Sequence, residues 1–163
     1  MGSAGSFVVP RSDRPLVEAG AVAAAGGEPC WSARDGGWRI LQILGGDDVD
    51  GRRLGAETGA PTLVASVVDG DFAVVEGRSP SAGRWSAVLS PETAGEYGCP
   101  DHLLVDPEVS AAHAVRWAEE AGLRPDPSAV AAASTAEGDP FAEDLLISLA
   151  AALGLTFAGA MER

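Results

Sequence analysis

The sequence predicts an α+β fold, with an antiparallel sheet of about five strands in the N-terminal half and helices from the C-terminal half packed on one face. Three observations support this class. Apolar runs of strand length cluster within residues 7–89, Asp-Gly turns join neighbouring runs, and apolar residues recur at helical spacing within residues 91–154. The 163 residues, 46% of them hydrophobic, suffice for a single domain with its own core.

The centre of the predicted sheet is the segment 60–89. Thr62–Val68 and residues 72–75 are apolar, β-branched runs joined by the Asp-Gly-Asp of residues 69–71. Asp and Gly both accept the positive φ of a two-residue mirror-image turn, so the two runs should pair antiparallel. Because the first run is apolar on both faces, it should be buried on two sides. Residues 84–89 supply a third strand.

The N-terminal segment predicts a short strand and a helix. Residues 7–9 are interpreted as an edge strand that ends at Pro10, because proline lacks the N–H needed for a further ladder bond. A helix is predicted over residues 14–25, with Asp13 as its N-cap and Gly26 as its end.

A second hairpin and a capped helix follow. Residues 30–34 and Trp38–Leu44 flank an Asp-Gly-Gly sequence at residues 35–37, which carries the same kind of turn signal as the central hairpin. Asp50 is well placed to cap a helix over Gly51–Thr58.

Four helices are predicted in the C-terminal half. They cover residues 91–97 capped by Ser90, 107–122 capped by Asp106, 128–134, and 139–153 opened by Asp139-Pro140. The last of them places Leu145, Leu146, Leu149 and Leu153 at helical spacing, so one of its faces should be buried.

Charge limits the classes of partner. The net charge of −13 argues against nucleic-acid backbones and anionic membranes and leaves a basic protein partner open; the alternative is that the charge only keeps the chain in solution. All 11 positive residues are arginine, and the absence of lysine excludes Schiff-base chemistry and the usual phosphate-loop lysine. The two cysteines form no disulfide framework, and the N-terminus has no secretion signal, so we expect a cytoplasmic protein.

An acidic loop resembles the EF-hand calcium loop, in which carboxylates at positions 1, 3, 5 and 12 surround the cation and glycine at position 6 makes the turn. Asp48, Asp50, Gly51 and Glu57 match positions 3, 5, 6 and 12, whereas Gly46 at position 1 has no side-chain oxygen. The resemblance implies a weak calcium site at Asp48, Asp50 and Glu57. An acidic turn that caps a helix explains the same residues.

The cysteines and histidines suggest two further kinds of site. Cys99 and His102, joined by His113 and Cys30, would provide the four ligands of a structural zinc. Alternatively, Cys99 with either histidine would form an activated thiolate in a small enzyme or ligand-binding domain, with a pocket between sheet and helices.

The leading hypothesis is a non-enzymatic, acidic protein-interaction module, such as an immunity- or antitoxin-like inhibitor or a regulatory adaptor. No cofactor is expected. Trp38, Trp85 and Trp117 should lie in the core, whereas Trp31 is expected to be the exposed tryptophan. The predicted binding residues are therefore Trp31 and the two carboxylates of the central turn, Asp69 and Asp71.

Overall fold

The computed structural model describes residues 5–59, 61–79, 83–101, 104–136 and 142–157, and within them the chain forms one six-stranded antiparallel sheet and six α-helices. The elements are β1 (Gly5–Pro10), α1 (Gly20–Ala25), β2 (Glu28–Asp35), β3 (Trp38–Leu44), α2 (Gly51–Thr58), β4 (Thr62–Val68), β5 (Phe72–Ser79), β6 (Gly83–Leu89), α3 (Pro91–Glu96), α4 (Pro107–Glu120), α5 (Pro127–Thr135) and α6 (Ala142–Ala152). The strand order is β2-β3-β1-β4-β5-β6. The predicted α+β class is confirmed. None of the helices described is both long enough and apolar enough to cross a bilayer.

The first strand lies in the middle of the sheet, so the prediction of an edge strand is wrong. Phe7 pairs with Gln42 of β3 on one side and with Ala65 of β4 on the other. Successive residues of β1 point to opposite faces, and Val8 and Val9 are both buried. A strand that is apolar on both faces is most stable in the middle of a sheet, where other elements cover both faces of the sheet. Its insertion brings the number of described strands to six.

Both predicted hairpins form. In the central hairpin, Asp69 and Gly70 have φ values of 52° and 74°, and the Asp71 N–H donates to the Val68 carbonyl at 2.9 Å. Val68 pairs with Phe72, so the loop between the paired residues has three residues and not the two predicted. The positive φ values explain why Asp and Gly occupy this turn.

One face of the sheet is covered by α4, α5 and α6, as predicted for the C-terminal helices, and Trp117 of α4 is at the centre of this core. Its side chain is fully buried and meets Trp38 and Trp85 edge-on, with ring centroids 5.8 and 6.2 Å away. The indole N–H of Trp117 donates to the Arg78 carbonyl on β5 at 3.0 Å. These contacts attach α4 to β3 in one half of the sheet and to β5 and β6 in the other half.

The second face carries the shorter helices. Leu54 of α2 packs with Val8, Leu41 and Val64 over the middle strands, in a cluster that also includes residues of α1. The third helix, α3, covers the far corner of this face through the buried Ala94. Helices therefore lie on both faces of the sheet. The prediction that the C-terminal helices share one face is wrong for α3, which packs on the face opposite α4, α5 and α6.

Several helix starts differ from prediction. Residues 14–25 divide into a 3-10 helix at Leu16–Glu18 and the short helix α1, with Pro15 and Ala19 at the cap positions in place of Asp13. The extended backbone of Ala19, with ψ at 132°, breaks the helix between them. Ser90 precedes α3 with a φ of 57° and makes no side-chain cap bond.

Two other caps are confirmed. Asp50 accepts hydrogen bonds from the backbone N–H groups of α2, and Asp106 accepts one from the start of α4. The predicted start of the last helix at Asp139-Pro140 lies outside the described residues.

Replacement of Trp117 by Phe should lower the free energy of unfolding by about 2 to 4 kcal/mol, because it removes ring atoms from a closed core and leaves the Arg78 carbonyl without its donor. Urea denaturation followed by circular dichroism measures this change. Val109→Ala serves as the control, since Val109 is half-exposed on the same helix. It should change the stability by less than about 0.5 kcal/mol; equal losses in both variants would contradict the assigned role of Trp117.

Candidate functional site

The β4–β5 turn and the end of α3 meet at one corner of the molecule. Asp69 and Asp71 belong to the turn, and Glu96 and Tyr97 end the helix. These four residues are called the acidic corner below. The Tyr97 hydroxyl donates a hydrogen bond to the Asp71 carboxylate, and its ring meets Phe72 edge-on at a centroid distance of 5.5 Å. Tyr97 is nevertheless 52% exposed, so the corner presents an aromatic ring to solvent.

Local sequence builds this corner from both sides. The positive φ of Asp69 turns the chain sharply after β4, which brings Asp71 back beside the start of β5. On the other side, Ala94 of α3 is fully buried against Phe72 and Val88, which fixes the helix over this end of the sheet. Tyr97 follows directly after that helix and therefore lies over the turn.

The acidic corner raises the pKa of Tyr97 above its ordinary value of 10.0. The largest cause is the hydrogen bond to Asp71, which favours the protonated phenol as donor. Smaller contributions come from desolvation and from the negative charges of Asp71, Asp69 and Glu96. Three carboxylates therefore surround one exposed aromatic side chain, which makes the corner a region of negative potential with a rigid, amphipathic centre.

Two of the three predicted binding residues, Asp69 and Asp71, lie together at this corner. The third, Trp31, does not, and the prediction that it is exposed is wrong. Its side chain is only 5% exposed and packs edge-on against Phe7, with ring centroids 6.4 Å apart. A bulge between Pro29 and Trp31 shifts the register of β2, leaving Cys30 exposed while Trp31 points into the core.

The three carboxylates of the predicted calcium site have partners within the protein. Asp50 caps α2, and Asp48 accepts a hydrogen bond from the Ser66 hydroxyl at 3.0 Å. Glu57 accepts the N–H groups that begin α1, Gly20 at 2.7 Å and Ala21 at 2.9 Å. Across the described parts of the chain, no set of three or more His, Cys, Asp and Glu side chains is placed to hold a metal ion.

The cysteines and histidines are found in different surroundings. Cys99 is partly buried against the small cluster beneath α3, whereas Cys30 is exposed on β2. His113 is exposed on α4, and His102 lies outside the described residues. Among the residues that are described, no hydrogen bond joins Cys99 to His113, so the proposed thiolate pair receives no support from contacts.

Sequence reasoning missed Tyr97 and Glu96. Tyr97 is the single tyrosine of the chain, and it follows a predicted helix of about two turns. That position indicates an aromatic residue at a helix end, but it does not indicate which strand or turn the helix covers.

Comparison of the chain with protein-family models, with curated proteins and with solved structures finds no match.

Replacement of Asp71 by Asn should lower the pKa of Tyr97 towards 10.0, because it removes both the charged acceptor and the strongest nearby negative charge. An ultraviolet titration of phenol ionisation reports this residue alone, since the chain has one tyrosine. Because the folded-state pKa is raised, the interaction stabilises the fold below pH 10 and is lost as the pH rises through the folded-state pKa. Glu28→Gln, on the outer strand β2, is the control and should leave the titration unchanged; an equal shift in both variants would contradict the local contact.

Replacement of Asp50 by Ala should lower the free energy of unfolding by about 1 kcal/mol, because α2 loses the acceptor for its first N–H groups. The loss should be the same with added calcium and with EDTA. Asp47→Ala removes the same charge from the same loop, where no side-chain bond is described, and should be close to neutral. If calcium instead raises the melting temperature of the native chain but not of D50A, these carboxylates hold a metal and do not act only as caps.

Proposed function

We propose that this chain is a non-enzymatic, acidic protein-interaction module that binds a basic protein through the acidic corner. The observation that carries the proposal is the placement of Asp69, Asp71 and Glu96 around the half-exposed ring of Tyr97. Tyrosine is enriched among the residues that dominate binding energy, because it supplies a large and rigid contact surface with a polar tip.

The chemistry of the corner favours arginine or lysine on the partner. A carboxylate pairs with a guanidinium through charge-assisted hydrogen bonds, and an aromatic face attracts the same cation. Asp69 is exposed, so it is available for such a pair, whereas Asp71 is partly buried and holds the ring of Tyr97. The corner thus combines an exposed charge with a positioned aromatic anchor.

The net charge of −13 supports the same class of partner. A strongly negative surface accelerates encounter with a basic protein and slows encounter with nucleic acid or an anionic membrane. In concrete form, the proposal is a cytoplasmic inhibitor of the immunity or antitoxin kind, or a regulatory adaptor, that captures a basic partner.

Chemical cross-linking in the source cells, followed by affinity capture of the full chain, should recover a basic protein whose binding weakens steeply as salt increases. With that partner purified, the triple variant D69N/E96Q/Y97A should lower its affinity by about tenfold or more, since it removes the anchor and two of the charges.

The control is E18Q/E28Q/E119Q, which removes three exposed carboxylates from other elements, one negative charge more than the corner variant removes. Because this control lowers the negative charge of the whole surface, it should slow association with the partner slightly and leave the dissociation rate unchanged. Failure to recover a partner at any salt concentration would refute the proposed class, and equal effects of both triple variants would refute the assigned corner.

A further inference from the structure

A second polar site lies at the other end of β5. A cleft of about 310 Å³ opens between α2 and the ends of β5 and β6, and its lining residues include Arg52, Arg78 and Arg84. It is called the arginine cleft below. Arg78 is six residues along β5 from Phe72 at the acidic corner, which places the two sites about 20 Å apart.

The charges of the arginine cleft do not cancel. Glu76 pairs with the Nε atoms of two arginines, Arg78 at 2.6 Å and Arg84 at 3.5 Å. For the Arg52 guanidinium, no hydrogen bond or ion pair is found among the described residues. Three guanidinium groups against one carboxylate leave an excess of two positive charges, on a chain whose net charge is −13.

Neighbouring acidic groups are already engaged. Glu120 of α4 reaches the rim of the cleft, where the Ser79 hydroxyl donates to it at 3.4 Å, but it also pairs with Arg116 at 3.6 Å. Asp50 lies outside the lining residues and accepts the first free N–H groups of α2. An anion in the cleft would therefore be held by the arginine side chains and not by the helix terminus.

Glycine residues shape the wall of the cleft. A Cβ atom at Gly51 would lie 3.3 Å from Val64 Cγ2 and 3.4 Å from Glu76 Oε1, so a side chain there would press on the carboxylate that orients two of the arginines. Gly55, one turn later on the same face of α2, also leaves its part of the wall without a side chain. The space in front of the guanidinium groups consequently stays open.

We propose that the arginine cleft binds the dianionic phosphate group of a small organic phosphate monoester. An excess of two positive charges matches a dianion, and guanidinium groups donate paired hydrogen bonds to phosphate oxygens. Through Nε, Glu76 fixes Arg78 and Arg84 and leaves their terminal nitrogens as further donors. Because the volume is within the range of small-molecule pockets, the cleft also has room for the organic part of the ester.

The test is calorimetric titration of the full chain with phenyl phosphate, inorganic phosphate and benzoate. Phenyl phosphate should bind more tightly than inorganic phosphate and more tightly than benzoate. Its binding should also weaken as the pH falls through about 6, where a phosphate monoester loses its second negative charge while arginine stays protonated. Absence of phenyl phosphate binding, or equal binding of benzoate, would overturn the proposal. Equal binding of inorganic phosphate would overturn the ester assignment.

Adjacent arginines provide the matched variants. Arg52→Gln should weaken phenyl phosphate binding by about tenfold, because it removes a charged donor from the cleft. Arg53→Gln removes the same charge from the next residue of α2, where Arg53 pairs with Glu57 at 3.1 Å outside the cleft, and should change the affinity by less than about twofold. Unchanged melting temperatures show that both variants are folded, and equal effects of the two would overturn the site.

Discussion

The fully buried indole of Trp117, whose N–H donates to the Arg78 carbonyl, is the contact that attaches the C-terminal helices to the sheet. It joins the longest described helix to β5, and the edge-on contacts with Trp38 and Trp85 extend that attachment across the sheet. Arg78 then serves both faces, because its carbonyl receives Trp117 on one side while its guanidinium lines the arginine cleft on the other. Burial of a large ring with its polar atom satisfied stabilises this junction.

Strand β5 connects two sites of opposite charge. Its first residue, Phe72, supports Tyr97 at the acidic corner, and its last residues belong to the arginine cleft. Both sites occupy parts of the second sheet face that the short helices α2 and α3 leave open. The helices α4, α5 and α6 cover the largest core cluster on one face, and the second face exposes polar residues at its corners, beyond the smaller clusters beneath α2 and α3.

The sequence predicts what local chemistry determines, and misses what depends on distant packing. Asp69-Gly70 specifies its turn because few residues accept positive φ, and Asp50 reveals a cap by position alone. The central place of β1 could not be inferred, since three apolar residues and a proline carry no information about which strands pair with them. The exposure of Trp31 is predicted wrongly because proximity to a turn does not decide the face of a side chain. Trp31 and Ala33 are buried while Ser32 and Arg34 are exposed, so strand alternation places the Trp31 ring in the core. Tyr97 belongs to the site only because α3 packs over the β4–β5 turn and brings its hydroxyl to Asp71, a contact between distant parts of the sequence.

The most direct test of the acidic corner is nuclear magnetic resonance mapping of the isotopically labelled chain, free and saturated with its captured partner. If the partner binds at the acidic corner, the amide shifts that change most should belong to the β4–β5 turn and the end of α3, and the Tyr97 ring should lose mobility and solvent access. Strands β2 and β3 should keep their free-state spectra. Changes concentrated on β2 and β3, with the Tyr97 signals unmoved, would contradict binding at the acidic corner.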